Sequence, residues 1–458
     1  MIAVRHSIAD TASSVQNWAA RTELLKWLRK PWMPVLFASL LTAVLAGRGI
    51  SGRALSFDEF FSLTAVTTDL RSGLAEVPLL PYYAVLWVWT FGGEVTNDGW
   101  LRALSLVSVV VAAAVTVAFA VRLAGVRVAY LAAVLFALNP GISFAAQDAR
   151  PYALGLAFFA GASYALVRAL DRQQRRLWWA FAVLLLIGVV LAPNGVIVLL
   201  PLLWLLRGRY PHLLRCRALF LSLLPVAILI IAGVALLASG SFSAMREWLP
   251  SPQLLWLPTG AIWAAIGESE FVGAPHGFAA ALLLLSAFSA AGRRVLWGSL
   301  LAVLLVWVFS QGPSSFWIGR AFITLIPLIT VAAALGLTRI SRRGLVAALV
   351  VLLILAVPGY TAVRLPREGY ADLRLAAQII ERESEDSDQI FGNGYLGQGL
   401  QYELAVGVDQ YGTSEPVWEV TREPTRSFWI LYDDYPCDET FSIDVRGGVE
   451  LRRCAAPS

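Results

Sequence analysis

Ser56-Phe57-Asp58-Glu59-Phe60-Phe61 sets two adjacent carboxylates just after the first apolar segment of the chain, residues 32–46. Two carboxylates beside a bilayer are costly to hold, and the default reading of such a pair is a functional site. Everything around the pair reads as membrane. Of 458 residues, 58% are hydrophobic and 15% are charged, and the mean hydropathy is +0.67. Soluble domains run at about 25% charged residues. A single soluble core could not hide this much apolar surface, so the sequence predicts a mainly α, polytopic membrane helical bundle.

Working outward from the pair, apolar segments run over 32–46, 101–121, 128–138, 151–170, 177–191, 196–206, 218–237, 277–291, 295–309, 318–337 and 345–360. That makes about eleven transmembrane helices, several shorter than the roughly 20 residues of a full span. The short ones suggest local thinning or a cavity entering the bilayer. The net charge of +5 is carried mostly by arginine, in short clusters at 21–30, 122–127, 168–176, 207–217, 293–294 and 339–343. These occupy alternate loops, which marks them as cytoplasmic and argues against nucleic-acid binding. Asp58-Glu59, Gln147-Asp148-Ala149-Arg150 and Pro193-Asn194 then fall outside, with the loops 239–258 and 310–316 and the tail after Tyr360. The count holds only if 79–92 does not cross. Residues 57–70 and 79–92 therefore read as two amphipathic helices on the outer surface, with Tyr82, Tyr83, Trp87 and Trp89 at interfacial depth.

Three regions follow: a basic cytoplasmic tail at 1–30, without a cleavable signal peptide; a membrane domain at 31–364, with a first outer loop at 47–100; and a small extracytoplasmic α/β domain at 365–458. In the last, 372–381 reads as a helix, and 427–432 and 441–446 as strands. Cys437 and Cys454 read either as a disulfide or as two free thiols. Cys216, between Arg215 and Arg217, reads as an isolated thiol.

Four features share the outer membrane depth: Asp58-Glu59; Pro78-Leu79-Leu80-Pro81-Tyr82-Tyr83; Asn139-Pro140 with Gln147-Asp148-Ala149-Arg150-Pro151-Tyr152; and Gly319-Arg320, with Pro327 beyond. With Leu101-Arg102-Ala103-Leu104-Ser105, Arg122-Leu123-Ala124-Gly125 and Ala137-Leu138-Asn139-Pro140, this ordered set resembles the GT-C glycosyltransferases of the protein O-mannosyltransferase and aminoarabinose-transferase type. The resemblance is strongest over 50–170 and has a weaker echo at Gly319-Arg320-Ala321-Phe322. The chain departs from it at Glu76-Val77-Pro78, where family members often carry a histidine or lysine. The resemblance implies a polyprenyl-phosphate-linked sugar as donor and an active site outside.

That chemistry suits the residue types. Inverting transfer needs a base for the acceptor hydroxyl proton, and the resemblance places it at Asp58. A partly desolvated carboxylate has its pKa pushed toward the useful range. Glu59 either holds the acceptor or orients Asp58, or is a helix N-terminal charge. The leaving phosphate needs a fixed cation, and arginine offers a matching fork. Arg320 is that candidate, or else a snorkelling arginine at a helix end. Arg150 is a second substrate-binding candidate, or a local partner of Asp148. Tyr82 and Tyr83 are substrate contacts or interfacial anchors. Asp58, Glu59 and Asp148 could hold a divalent cation through oxygens. The histidines His6, His212 and His276 are scattered, so the expectation is no metal and no cofactor. The expected partners are the lipid-linked donor, a glycan, lipid or protein acceptor and the bilayer of the plasma membrane. A transporter or flippase of lipid-linked saccharide, and a non-catalytic envelope scaffold, are the rival readings.

Overall fold

The structure, a computed structural model, describes residues 26–51, 55–67, 79–238, 252–267, 274–311 and 319–362, residues 378 and 382, and four short strands beyond. Glu76-Val77-Pro78, Cys437, the expected helix at 372–381 apart from residue 378, and the expected strand at 427–432 lie outside the described residues.

Helix α1 spans Met33–Gly47, α2 Phe57–Thr67, α3 Leu80–Trp89 and α4 Asp98–Ala124. Then come α5 (Val126–Ala137), α6 (Pro140–Ala146), α7 (Pro151–Arg172), α8 (Arg175–Leu191), α9 (Leu199–Arg207) and α10 (Arg217–Ala238). The rest are α11 (Leu257–Ile266), α12 (Ala274–Ala287), α13 (Ala290–Phe309), α14 (Ile326–Leu337) and α15 (Arg342–Ala362). Local signals set the ends. Asn97 caps α4 by accepting from the Trp100 amide at 3.0 Å, and Gly125, at φ 86°, stops it. Among the described residues, α4, α7 and α13 are long and apolar enough to cross a bilayer. Helices α5 and α6, bent by 62° at their break, form either a fourth, broken span or a re-entrant loop. Helices α2 and α3 have 11 and 10 residues, about 15 Å each at the helical rise, well short of a hydrocarbon core of about 30 Å.

The bundle is inside-out by soluble standards. Phe220, Leu221, Leu224, Ile228 and Ile231 of α10 are exposed, as are Val346, Val350, Ile354 and Val357 of α15. Apolar faces at helical spacing turned outward suit lipid as the solvent. At the centre, α14 is buried from Ile326 to Leu337 except Leu335. Gly336 makes this possible, because a Cβ there would meet the Leu285 carbonyl oxygen at 1.8 Å.

Two expected spans are broken. The segment at 196–206 begins as a 3-10 turn, Pro193–Val198, before α9, and that at 318–337 begins as Gly319–Leu325 before α14. Pro327 sits in the first turn of α14. It has no N–H to donate, so a regular helix restarts around it instead of running through. The two 3-10 turns pack together, with Thr324 Oγ1 donating to the Gly195 carbonyl at 3.2 Å. Helix α11 was not anticipated; it follows a segment read as outer loop. Beyond the helices, β1 (Gln389–Gly392), β2 (Val417–Arg422), β3 (Asp438–Asp444) and β4 (Val449–Ala455) form one sheet, ordered β1-β2-β4-β3. The first pair is parallel and the others are antiparallel. The strand expected at 441–446 overlaps β3 over 441–444.

Candidate active site

The first turn of α2 is built by a reciprocal cap. The Ser56 amide donates to Glu59 Oε2 at 2.8 Å, and the Glu59 amide donates to Ser56 Oγ at 3.4 Å. This Ser-x-x-Glu box fixes the helix start and sets Asp58 and Glu59 on different sides of it.

Glu59 turns inward and is fully buried. Arg102 of α4, 1% exposed, closes a two-pronged pair on it. Its Nε donates to Oε1 at 2.7 Å and its Nη2 to Oε2 at 2.8 Å. With the Ser56 amide already on Oε2, the Ala149 amide adds a fourth donor to the side chain, at 3.0 Å on Oε1. Arg102 Nη1 reaches the Ile50 carbonyl at 3.0 Å. One ion pair therefore joins the segment before α2, α2 itself, α4 and the turn at 147–150.

That turn is buried, so its backbone groups need partners. Ser105 Oγ donates to the Asp148 carbonyl at 2.7 Å, and Ser62 Oγ to the Ala149 carbonyl at 2.8 Å. Gln147 Nε2 donates to the carbonyls of Ala46 and Arg48, each at 3.1 Å. Pro151 opens α7, and Arg150 before it is extended at φ −131° and ψ 164°, as a residue preceding proline prefers. On the other side of α6, Asn139 Nδ2 donates to the Ala265 carbonyl at 2.8 Å. Only glycine fits beside it, since a Cβ at Gly141 would lie 1.6 Å from the Ile266 carbonyl oxygen.

Asp58 turns the other way and keeps 22% of its side chain exposed. Arg320 Nη1, from the 3-10 turn before α14, pairs with Asp58 Oδ2 across 262 residues of chain. The guanidinium carbon of Arg320 lies 5.8 Å from the centre of the Tyr152 ring, a cation–π placement. Arg150 Nη1 donates to the Asp58 carbonyl at 3.2 Å and to Tyr83 Oη at 3.0 Å. Tyr82 and Tyr83 are fully buried, with ring centres 5.9 Å apart. Burial pushes the Tyr82 hydroxyl well above its usual pKa; Asp148 adds to the rise and Arg150 opposes it.

All seven residues singled out in the sequence, Asp58, Glu59, Tyr82, Tyr83, Asp148, Arg150 and Arg320, thus gather around one turn and one helix start. Arg150 Nη1 reaches both α2 and α3. Sequence reasoning gave no role to Arg102, Ser56 or Tyr152. The first two had signals: Ser56-x-x-Glu59 is a capping box, and an arginine in the first turns of an apolar span needs a partner. Glu59, with both oxygens occupied, is a poor metal ligand. Among the described residues no group of three or more His, Cys, Asp or Glu side chains could hold an ion.

No family model matches the sequence, and no curated protein does. Solved structures do match. The crystal structure of ArnT from Cupriavidus metallidurans in the apo state superposes with a TM-score of 0.58 at 13% identity, over 93% of this chain and 99% of that one. The structure of ArnT bound to undecaprenyl phosphate gives 0.51, with the same identity and coverage. The chain is similar in fold to ArnT. The likeness runs over nearly the whole of both chains. In chemical terms, the site offers a partly exposed carboxylate and a buried cation beside it, both held on a hydrogen-bonded frame.

Proposed function

We propose that this chain is an integral-membrane, inverting GT-C glycosyltransferase that moves a sugar from a polyprenyl-phosphate donor to an extracytoplasmic acceptor. One observation carries the reading: an outward carboxylate, Asp58, and a cation, Arg320, meet from opposite ends of the helical region. An ArnT-like fold over 93% of the chain supports it, and one of the ArnT structures holds undecaprenyl phosphate.

In the proposed reaction the acceptor oxygen attacks the anomeric carbon and Asp58 takes its proton. The bond from that carbon to the phosphate oxygen breaks, and Arg320 receives the phosphate charge. Glu59 and Arg102 are positioning residues, which hold α2 so that Asp58 faces the substrates. Arg150 fixes the Asp58 backbone and ties it to Tyr83. The sugar is mannose or another hexose or pentose, and the acceptor a glycan, lipid or protein. The protein lies in the plasma membrane with about eleven spans. The site, the surface helices α2 and α3 and the C-terminal sheet, as a small α/β domain, lie outside. Discontinuous spans such as those before α9 and α14 are also a transporter trait; the fold likeness to a transferase favours the enzyme.

The test is mass spectrometry of envelope glycans and glycolipids from a deletion strain. One glycosylated species should vanish and return with the wild-type gene, but not with Asp58→Asn. Restoration by Asp58→Asn would remove Asp58 as the base.

A further inference from the structure

The pairing of Asp58 with Arg320 poses a difficulty for the very reaction it supports. A carboxylate held by a guanidinium is a poor proton acceptor, because the cation stabilises its charged form. The same guanidinium is the group the phosphate needs. Both demands are met if the arginine changes partner during the reaction. We propose that Arg320 is handed from Asp58 to the donor phosphate, so that the base is released only when a phosphate occupies the site. This inference rests on the glycosyltransferase reading above.

The charges balance. Before transfer, Asp58 carries one negative charge, Arg320 one positive, and the donor phosphodiester one negative. As the acceptor O–H bond breaks, its proton goes to Asp58, which becomes neutral. The acceptor oxygen bonds to the anomeric carbon. The carbon–oxygen bond to the phosphate breaks, and its electron pair stays on the phosphate as a second negative charge. The charge lost at Asp58 reappears on the phosphate, and Arg320 follows it. The net charge of the site does not change, which suits a pair with a buried arginine and a largely covered carboxylate.

The geometry permits the exchange. Arg320 Nη1 pairs with the Asp58 carboxylate, while the Asp58 backbone carbonyl is held separately by Arg150 Nη1. The carboxylate can therefore lose Arg320 without moving α2. Arg320 rests near the face of Tyr152, and attraction to a ring face survives a sideways shift better than a directed hydrogen bond does. Glu59, by contrast, is fastened on both oxygens and cannot accept Arg320 in its place.

The test is a binding cycle with undecaprenyl phosphate on four full-length purified proteins: wild type, Asp58→Asn, Arg320→Ala and the double variant. Removing Asp58's charge removes Arg320's competing partner. Asp58→Asn should bind about tenfold more tightly than wild type, the scale of one charge-assisted contact. In the Arg320→Ala background the same substitution should change affinity by less than about twofold. Asp58→Ser, which also lacks the charge, should repeat the gain. Affinity unchanged or weakened by Asp58→Asn and Asp58→Ser overturns the exchange. So does a gain that persists without Arg320, because that is mere loss of repulsion. Transfer activity separates this from the underlying reading. An inactive Asp58→Asn with unaltered affinity defeats only the exchange, whereas an active Asp58→Asn defeats the base itself.

Discussion

Glu59→Gln is the sharpest probe of how the site is held. The substitution keeps shape and volume and removes one charge. Oε1 accepts from Arg102 Nε and the Ala149 amide, and Oε2 from Arg102 Nη2 and the Ser56 amide. Whichever oxygen becomes the NH2 group, two buried donors lose their acceptor and meet another donor. Each such group costs about 1–3 kcal/mol. The guanidinium of Arg102, 1% exposed, is left without its counter-charge. Breaking a buried pair this way costs about 3–5 kcal/mol, a large fraction of the roughly 5–15 kcal/mol that holds a typical domain. Thermal unfolding in one detergent should show the variant melting several degrees lower, with transfer activity falling alongside. The paired change Glu59→Leu with Arg102→Met removes both charges and should recover part of the melting temperature, but not the activity, because α2 loses its anchor to the 147–150 turn. A Glu59→Gln protein that melts with the wild type yet loses turnover would refute this, and would make Glu59 a participant in the chemistry rather than a fastener.

Three further outcomes are expected. A cysteine replacing the exposed Asn97 should react with an impermeant thiol reagent from outside, and one replacing Gln173 only after permeabilisation; protection at Asn97 would mean that 79–92 crosses the bilayer. At the far end of the bundle, Tyr210 donates to Asp171, which also accepts from Arg122 Nε at 2.8 Å. Burial, and then Asp171, push the Tyr210 hydroxyl up to about 12. Tyr210→Phe should cost about 1 kcal/mol, discounted for partial exposure. That cost should be the same at pH 6 and pH 9 and fade only as pH rises from about 10 through about 12, where the wild-type hydroxyl ionises; a cost that varies between pH 6 and 9 would exclude this pairing. Cys437 and Cys454 lie seventeen residues apart, and closing such a loop stabilises by roughly 3 kcal/mol. Non-reducing peptide mapping should find them joined, and two free thiols would count against an oxidising, extracytoplasmic location.

Hydropathy and arginine placement made the helices legible because a span is a long, uniform signal. Expected segments such as 151–170 and 177–191 fall within a few residues of α7 and α8. The breaks at Pro193–Val198 and Gly319–Leu325 were not legible, although Pro193 and Pro327 stood in plain view. A window average hides a local loss of regularity inside an apolar run. Helix α11 was missed because its apolar residues follow a stretch rich in Ser and Pro that reads as loop. At the site, the residue set was reached from the resemblance and from outward placement, since both properties are read one residue at a time. The pairings were not. Glu59 meets Arg102 across 43 residues and Asp58 meets Arg320 across 262, and no local periodicity encodes such contacts. What could be read locally was the Ser56-x-x-Glu59 cap, which already turns Glu59 back toward its own backbone and leaves Asp58 to face outward.

The central claim is transfer of a sugar from a lipid phosphate. Its most direct test supplies labelled polyprenyl-phosphate mannose, and the corresponding pentose donor, to membranes holding either the wild-type protein or Asp58→Asn at equal amount. The account predicts that label passes from one donor to a membrane or envelope acceptor with the wild type, releasing polyprenyl phosphate in step. Asp58→Asn should be slower by about a hundredfold or more, the scale of losing a general base. Equal label transfer with and without the Asp58 carboxylate, or movement of intact lipid-linked sugar across the membrane without release of polyprenyl phosphate, would contradict it.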